Sequence, residues 1–122
     1  MKRLSLAVMA FASLALLAAG PASAHAKLVN SNPAANASLE DAPRTMTLVF
    51  NERLVPAFAK VELLMPAHND MKVPVRTSMS EDGKSIVVSP QSALSAGTYK
   101  IVWSAASSDG HRISGEVPFR VS

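Results

Sequence analysis

From residue 26 onward, apolar and polar residues alternate in short runs, each bounded by Gly, Pro, Asn, Asp or Ser. Successive side chains of a strand point to opposite faces, so this pattern predicts half-buried β-strands. A helical period of about 3.6 residues is nowhere sustained in that stretch. The first expected strand is 26–29, followed by Ser31-Asn32-Pro33 and a polar stretch that ends at Pro43. Met46, Leu48 and Phe50 then share one face, with Thr45, Thr47 and Val49 on the other. Residues 60–65 alternate less cleanly, Val61 and Leu63 standing opposite Glu62 and Leu64. A loop over 66–70, a strand over 72–76 limited by Pro74, and the turn Glu81-Asp82-Gly83-Lys84 come next. Ile86 to Ser89 continues the sheet, and Ser95-Ala96-Gly97 turns into a strand with Tyr99, Ile101 and Trp103 on one face. That strand fades at Ser107, and Ser108-Asp109-Gly110-His111 links it to a last one over 113–121.

About seven short strands in one small domain predict an all-β fold, an immunoglobulin-like Greek-key sandwich closing toward a barrel. No internal repeat or low-complexity linker interrupts it.

The chain before residue 25 follows a different rule. Lys2 and Arg3 form a positive start, 4–17 is an apolar run, and Gly20-Pro21 breaks it before Ala22-Ser23-Ala24. A charged start, a short apolar run and a small-x-small end define a secretory signal peptide. The run falls short of the about 20 apolar residues a transmembrane helix needs. Residues 1–24 are therefore expected to be removed after export. This leaves one domain, 25–122, with no membrane insertion of its own.

Export changes the charge picture. The precursor carries 12 basic and 9 acidic side chains. Lys2 and Arg3 leave with the signal, so the mature domain is nearly neutral. Its basic residues are scattered and lack interleaved aromatics, which gives nucleic-acid binding no support. Without cysteine the domain must hold by packing alone. Any metal must then be bound through nitrogen, oxygen or thioether, and thiolate zinc modules and iron–sulfur clusters are excluded.

Cleavage after Ala24 would make His25 the first residue. Its α-amine and ring Nδ1 could then close a chelate ring on one ion, and such an amine titrates near about 8, roughly two units below a lysine. A second candidate is Asp109-Gly110-His111, an oxygen and a nitrogen donor separated by a permissive glycine. Taken alone, Asp-Gly in a loop is more often an Asx turn. Paired with His25 it completes a set of amine, two imidazoles and a carboxylate, the tetragonal N,O set that Cu(II) prefers. Periodicity cannot say whether the two segments meet.

With these residues the mature chain resembles the CopC family of periplasmic copper-binding proteins. The matching stretches are His25-Ala-Lys-Leu-Val, Ser31-Asn-Pro33, Phe50-Asn-Glu-Arg-Leu54, Leu94-Ser-Ala-Gly-Thr-Tyr99, Val102-Trp103, Ser107-Ser-Asp-Gly-His111, Gly115 and Phe119-Arg-Val121. The resemblance implies a small Greek-key β-barrel in the periplasm that holds Cu(II) through the amine and imidazole of His25, His111 and Asp109. It implies a non-enzymatic role in copper homeostasis or resistance, and a CopD-type inner-membrane transporter as partner. Some members also bind Cu(I) in a methionine-rich loop, because soft thioethers suit the reduced ion. Here Met65, His68, Met71 and Met79 are what remains of such a loop, and His68 with Met71 keeps the family's His-x-x-Met spacing.

Other residues receive structural readings. Met46 and Trp103 are expected in the core, Glu52 and Arg53 in solvent, and Glu81 and Asp82 in a turn. Two alternatives stay open. A copper monooxygenase would share the terminal histidine, but the domain is small and lacks an aromatic-rich face for a glycan. A plain immunoglobulin-like interaction module would show no affinity for copper beyond that of an exposed histidine pair.

Overall fold

The computed structural model describes residues 25–122. The expected signal peptide, 1–24, lies outside the described residues. Among the described residues nine strands form two sheets: β1 (Leu28–Asn32), β2 (Ala37–Leu39), β3 (Met46–Phe50), β4 (Lys60–Met65), β5 (Met71–Val73), β6 (Val75–Met79), β7 (Ser85–Pro90), β8 (Gly97–Ala106) and β9 (Arg112–Val121). One sheet runs β1-β3-β7-β6 and the other β2-β9-β8-β4-β5. Every pairing is antiparallel except that of β2 with β9. The result is a sandwich rather than a closed barrel. Among the described residues no helix is long and apolar enough to cross a membrane.

The alternation dictates the core. Met46, Leu48 and Phe50 of β3, with Ile86 and Val88 of β7, turn inward from one sheet. Leu63, Tyr99, Ile101, Trp103, Val117 and Phe119 meet them from the other. Each fully buried side chain of this kind is worth about 1.5–3 kcal/mol relative to leaving it exposed. In a chain without cysteine that burial must outweigh the entropy of ordering the backbone. Tyr99 also donates its hydroxyl to the carbonyl of Ser95, 2.7 Å away, and so pins the turn that opens β8.

The sequence reading and the structure differ in three places. The first strand starts at Leu28 rather than Ala26. A short β2 lies inside the stretch read as polar loop, since three residues offer no alternation to detect. The expected strand over 72–76 is two strands in two sheets, because Pro74 has no N–H for a ladder and the chain crosses there from β5 to β6.

One segment after β3 ties residues 25–27 to the β8–β9 hairpin. Asn51 N–H donates to the Lys27 carbonyl (3.1 Å), and Val55 N–H donates to the Ala106 carbonyl (2.8 Å). Leu54 forms a bridge with Ser107. Residues 25–27 and 107–111 thus emerge at the same end of the sandwich.

Candidate metal centre

The hairpin loop is built by one carboxylate. Gly110 N–H donates to the Ser107 carbonyl (3.0 Å), closing a turn, and Gly110 takes φ +85°, a conformation that favours glycine. A Cβ there would meet no neighbour, so backbone conformation rather than space calls for glycine. Asp109 Oδ1 accepts the Ser107 hydroxyl at 2.7 Å and the His111 backbone N–H at 3.0 Å. The expected Asx turn is therefore present, and it occupies only one carboxylate oxygen.

The other oxygen faces the histidines. Asp109 Oδ2 lies 3.2 Å from Nδ1 of His25 and 3.2 Å from Nδ1 of His111. The two rings meet edge to face with centroids 4.5 Å apart. Donor atoms of all three residues lie within 4.8 Å of one another. Ligand atoms held about 2 Å from one ion at right angles are about 3 Å apart, which is the spacing Oδ2 makes with each ring nitrogen. When a ring nitrogen carries a proton it can donate to Oδ2; without one it can share a cation with it.

Electrostatics favour the charged carboxylate. The His111 backbone N–H, then the Ser107 hydroxyl, stabilise the anion and lower the Asp109 pKa to about 2, against a smaller opposing effect of burial. The acceptor is thus ionised across the physiological range. The imidazoles stay open to solvent, with side-chain exposures of 56% for His25 and 67% for His111. An ion held here could be reached by a partner.

Neighbours fix the donors from behind. The Arg112 guanidinium lies 4.5 Å from the centroid of the Phe58 ring, a cation–π contact that steadies the residue after His111. Asn51 accepts the Lys27 N–H on Oδ1 (2.7 Å) and donates from Nδ2 to the His25 carbonyl (3.4 Å). Ser107 and Asn51 stood in the stretches that resemble the family, but sequence reasoning assigned neither a role. The Ser-x-Asp-Gly spacing was a usable signal for the serine. Nothing in the sequence linked residue 51 to residue 25.

The methionines are not brought together in this way. Met65 is buried in the core, its methyl close enough to crowd a Cβ at Gly97, and Met71 opposite it on β5 is exposed. Both line a cavity of about 260 Å³ with Tyr99 and Leu94. His68 is exposed in the turn between the two strands. Met79 sits on β6 of the other sheet and lines a different cavity, with Pro56 and Ile86. Trp103 is buried as expected, its ring 5.1 Å from that of Phe50 and pressed over Gly115.

Fold and site together define a class: a small β-sandwich presenting two exposed histidines and one ionised carboxylate at one end. The CopC domain model matches residues 28–122, and the chain belongs to that family. It is 43% identical over 111 residues to copper resistance protein C of Pseudomonas syringae pv. tomato, covering 87% of each chain. It is 40% identical over 112 residues to copper resistance protein C of Xanthomonas campestris pv. juglandis, covering 88% of this chain and 87% of that one. The crystal structure of PcoC, a methionine-rich copper resistance protein from Escherichia coli, superposes with a TM-score of 0.73 at 37% identity, covering 81% of this chain and all of that one.

Proposed function

We propose that this chain is a periplasmic copper-binding protein of copper resistance or homeostasis, which takes up Cu(II) at the His25–Asp109–His111 cluster and buffers it or hands it on. The observation that carries the reading is the convergence of both imidazoles on the Asp109 oxygen left free by the turn. Export with cleavage after Ala24 would add the α-amine of His25 and complete a tetragonal N,O set. The copper resistance proteins among its relatives support the choice of metal. The role is carriage rather than catalysis. A shared, exposed site permits ligand exchange with a partner, and a CopD-type inner-membrane transporter is the recipient or donor this family suggests. Each nitrogen must lose its proton to coordinate, so binding weakens as pH falls.

A second, soft site for Cu(I) at Met65, His68 and Met71 is supported by the cross-strand register that sets Met65 opposite Met71. The position of Met79 on the other sheet argues against its taking part.

The test begins with mass spectrometry of the exported protein to identify its first residue. Copper titration then compares that species with one bearing a single extra residue before His25. The extension keeps every side chain and removes only the free amine of His25. A large loss of affinity is expected, and unchanged affinity would defeat the mechanism.

A further inference from the structure

Copper on a free N-terminal histidine has two ways to complete its coordination. It can keep the amine and imidazole and take outside donors. Alternatively it can displace the protons of the next peptide N–H groups, forming a Cu–N bond as each N–H bond breaks and its proton passes to water. In a flexible peptide the second route competes as the solution becomes alkaline, because chelate rings along the backbone form without ordering anything else. A protein that relies on a distant loop for its remaining donors has to suppress that route.

The first two peptide groups after His25 are both engaged, and by one side chain. Asn51 Nδ2 donates to the carbonyl of the 25–26 peptide, and Asn51 Oδ1 accepts the N–H of the 26–27 peptide at 2.7 Å. The Asn51 backbone N–H adds a third bond, to the Lys27 carbonyl at 3.1 Å. Asn51 itself stands just past Phe50, the residue paired with Leu28 in the β1–β3 ladder. The side chain therefore extends strand pairing back toward His25, where the backbone ladder has ended. An asparagine suits this position because it offers one acceptor and one donor from a single amide.

We infer that Asn51 is a positioning residue that sets the ligand composition of the site. By holding the first two peptide groups it keeps backbone amide nitrogens off the metal and leaves the remaining positions to Asp109 and His111. The inference rests on the Cu(II) reading above and goes beyond it, since it concerns which donors are refused.

The test is the visible and electron paramagnetic resonance spectrum of the Cu(II)-loaded mature chain at mildly alkaline pH, for wild type, Asn51→Ala and Asn51→Asp. Amide nitrogens are stronger-field donors than carboxylate, so Asn51→Ala is expected to move the d–d band to shorter wavelength and add nitrogen couplings. Asn51→Asp keeps the acceptor for Lys27 N–H but loses the donor to the His25 carbonyl, and should give a smaller shift than Asn51→Ala. Loss of a group that orients ligands should also weaken Cu(II) binding in Asn51→Ala by about 10-fold at neutral pH. An unshifted spectrum in Asn51→Ala overturns the inference, as does the same shift in Asn51→Asp. If metal-free Trp103 fluorescence shows that Asn51→Ala fails to fold, Asn51→Gln moves the amide out by one methylene and must give the shift instead. A wild-type chain that takes up no stoichiometric Cu(II) removes the underlying reading and this one with it. Stoichiometric binding with identical spectra removes the clamp alone.

Discussion

Two turns in this domain are built from the same local sequence, and only one of them belongs to the candidate metal centre. Ser80-Glu-Asp-Gly-Lys84 and Ser107-Ser-Asp-Gly-His111 share the spacing Ser-x-Asp-Gly-x. In each, the serine hydroxyl donates to the aspartate Oδ1, at 2.6 Å in the first and 2.7 Å in the second. In each, the backbone N–H two residues on donates to the same oxygen at 3.0 Å. Both glycines have positive φ, +70° and +85°, and both donate to the serine carbonyl at 3.0 Å. Both aspartates have lowered pKa values, led by the serine hydroxyl at Asp82 and by the backbone N–H at Asp109.

The difference lies in what reaches the second oxygen. At Asp109 the segment before β1 brings His25 alongside, and His111 folds back from the turn itself. At Asp82 the last position is a lysine, and among the described residues the cluster of three metal donors lies at Asp109 and not here. The turn is thus a structural device that orients a carboxylate and keeps it charged. Whether the carboxylate becomes part of a site depends on the tertiary approach of the other donors. Asx turn and ligand, posed by the sequence as alternatives, are compatible, since the turn uses one oxygen of Asp109 and the other faces the imidazoles.

Exchanging the last residues of the two turns should break the comparison most sharply. His111→Lys is expected to lower Cu(II) affinity by more than about 100-fold, beyond what loss of an outer partner costs. Lys84→His should create no new site. Competition against a chromophoric chelator measures both, and tight binding gained at residue 84 would mean that the turn alone suffices.

Removing the carboxylate charge comes next. Asp109→Asn keeps the acceptor for the turn but puts an amide or a neutral oxygen before the imidazoles, so Cu(II) affinity should fall by roughly 10- to 100-fold. Asp82→Asn should leave it unchanged in the same titration.

A smaller effect is expected from the serines. Ser107→Ala removes one donor to Asp109 and should raise its pKa from about 2 toward 3.8, with Cu(II) affinity lower by about 10-fold. Ser80→Ala should raise only the Asp82 pKa. Carboxyl NMR titrations of the two variants distinguish them, and an unmoved Asp109 would show that the hydroxyl is not what holds the charge.

The smallest effect concerns acid stability, in which the two turns should behave alike. Each aspartate is depressed below its ordinary value of 3.8 when folded. Its contribution is fully present above that value and is lost as pH falls through the folded pKa, because the unfolded chain then binds the extra proton. Urea midpoints measured on either side of this window should fall with acid in the wild type and fall less in Asp82→Asn and Asp109→Asn. Both groups are solvent-exposed, so the differences will be slight.

Much of the fold was legible before any coordinates. The faces of β3 and β8 could be read residue by residue, because a period of two allows only one assignment of Met46, Leu48 and Phe50 or of Tyr99, Ile101 and Trp103. Strand β2 was not legible, since its pairing to β9 is decided by a partner some eighty positions away. Nor was the change of sheet at Pro74, where the residue marks a break without saying where the chain goes next. For the candidate site, the donors His25, Asp109 and His111 were legible as residue types and Ser107 through its Ser-x-Asp-Gly spacing, whereas Asn51 acts through hydrogen bonds that no pattern announces. The methionines show the converse. Their side-chain chemistry could be read, but only the structure sets Met65 opposite Met71 across β4 and β5 and places Met79 on the other sheet.

By itself the sequence determined the strand faces, the cysteine-free core, the export-like start and the kinds of donor the domain carries, because these follow from side-chain chemistry and short-range periodicity. Tertiary structure alone decided which donors meet. Closing two sheets over one core brings residue 25 beside residue 109, and contacts between positions so far apart depend on the packing of everything between them.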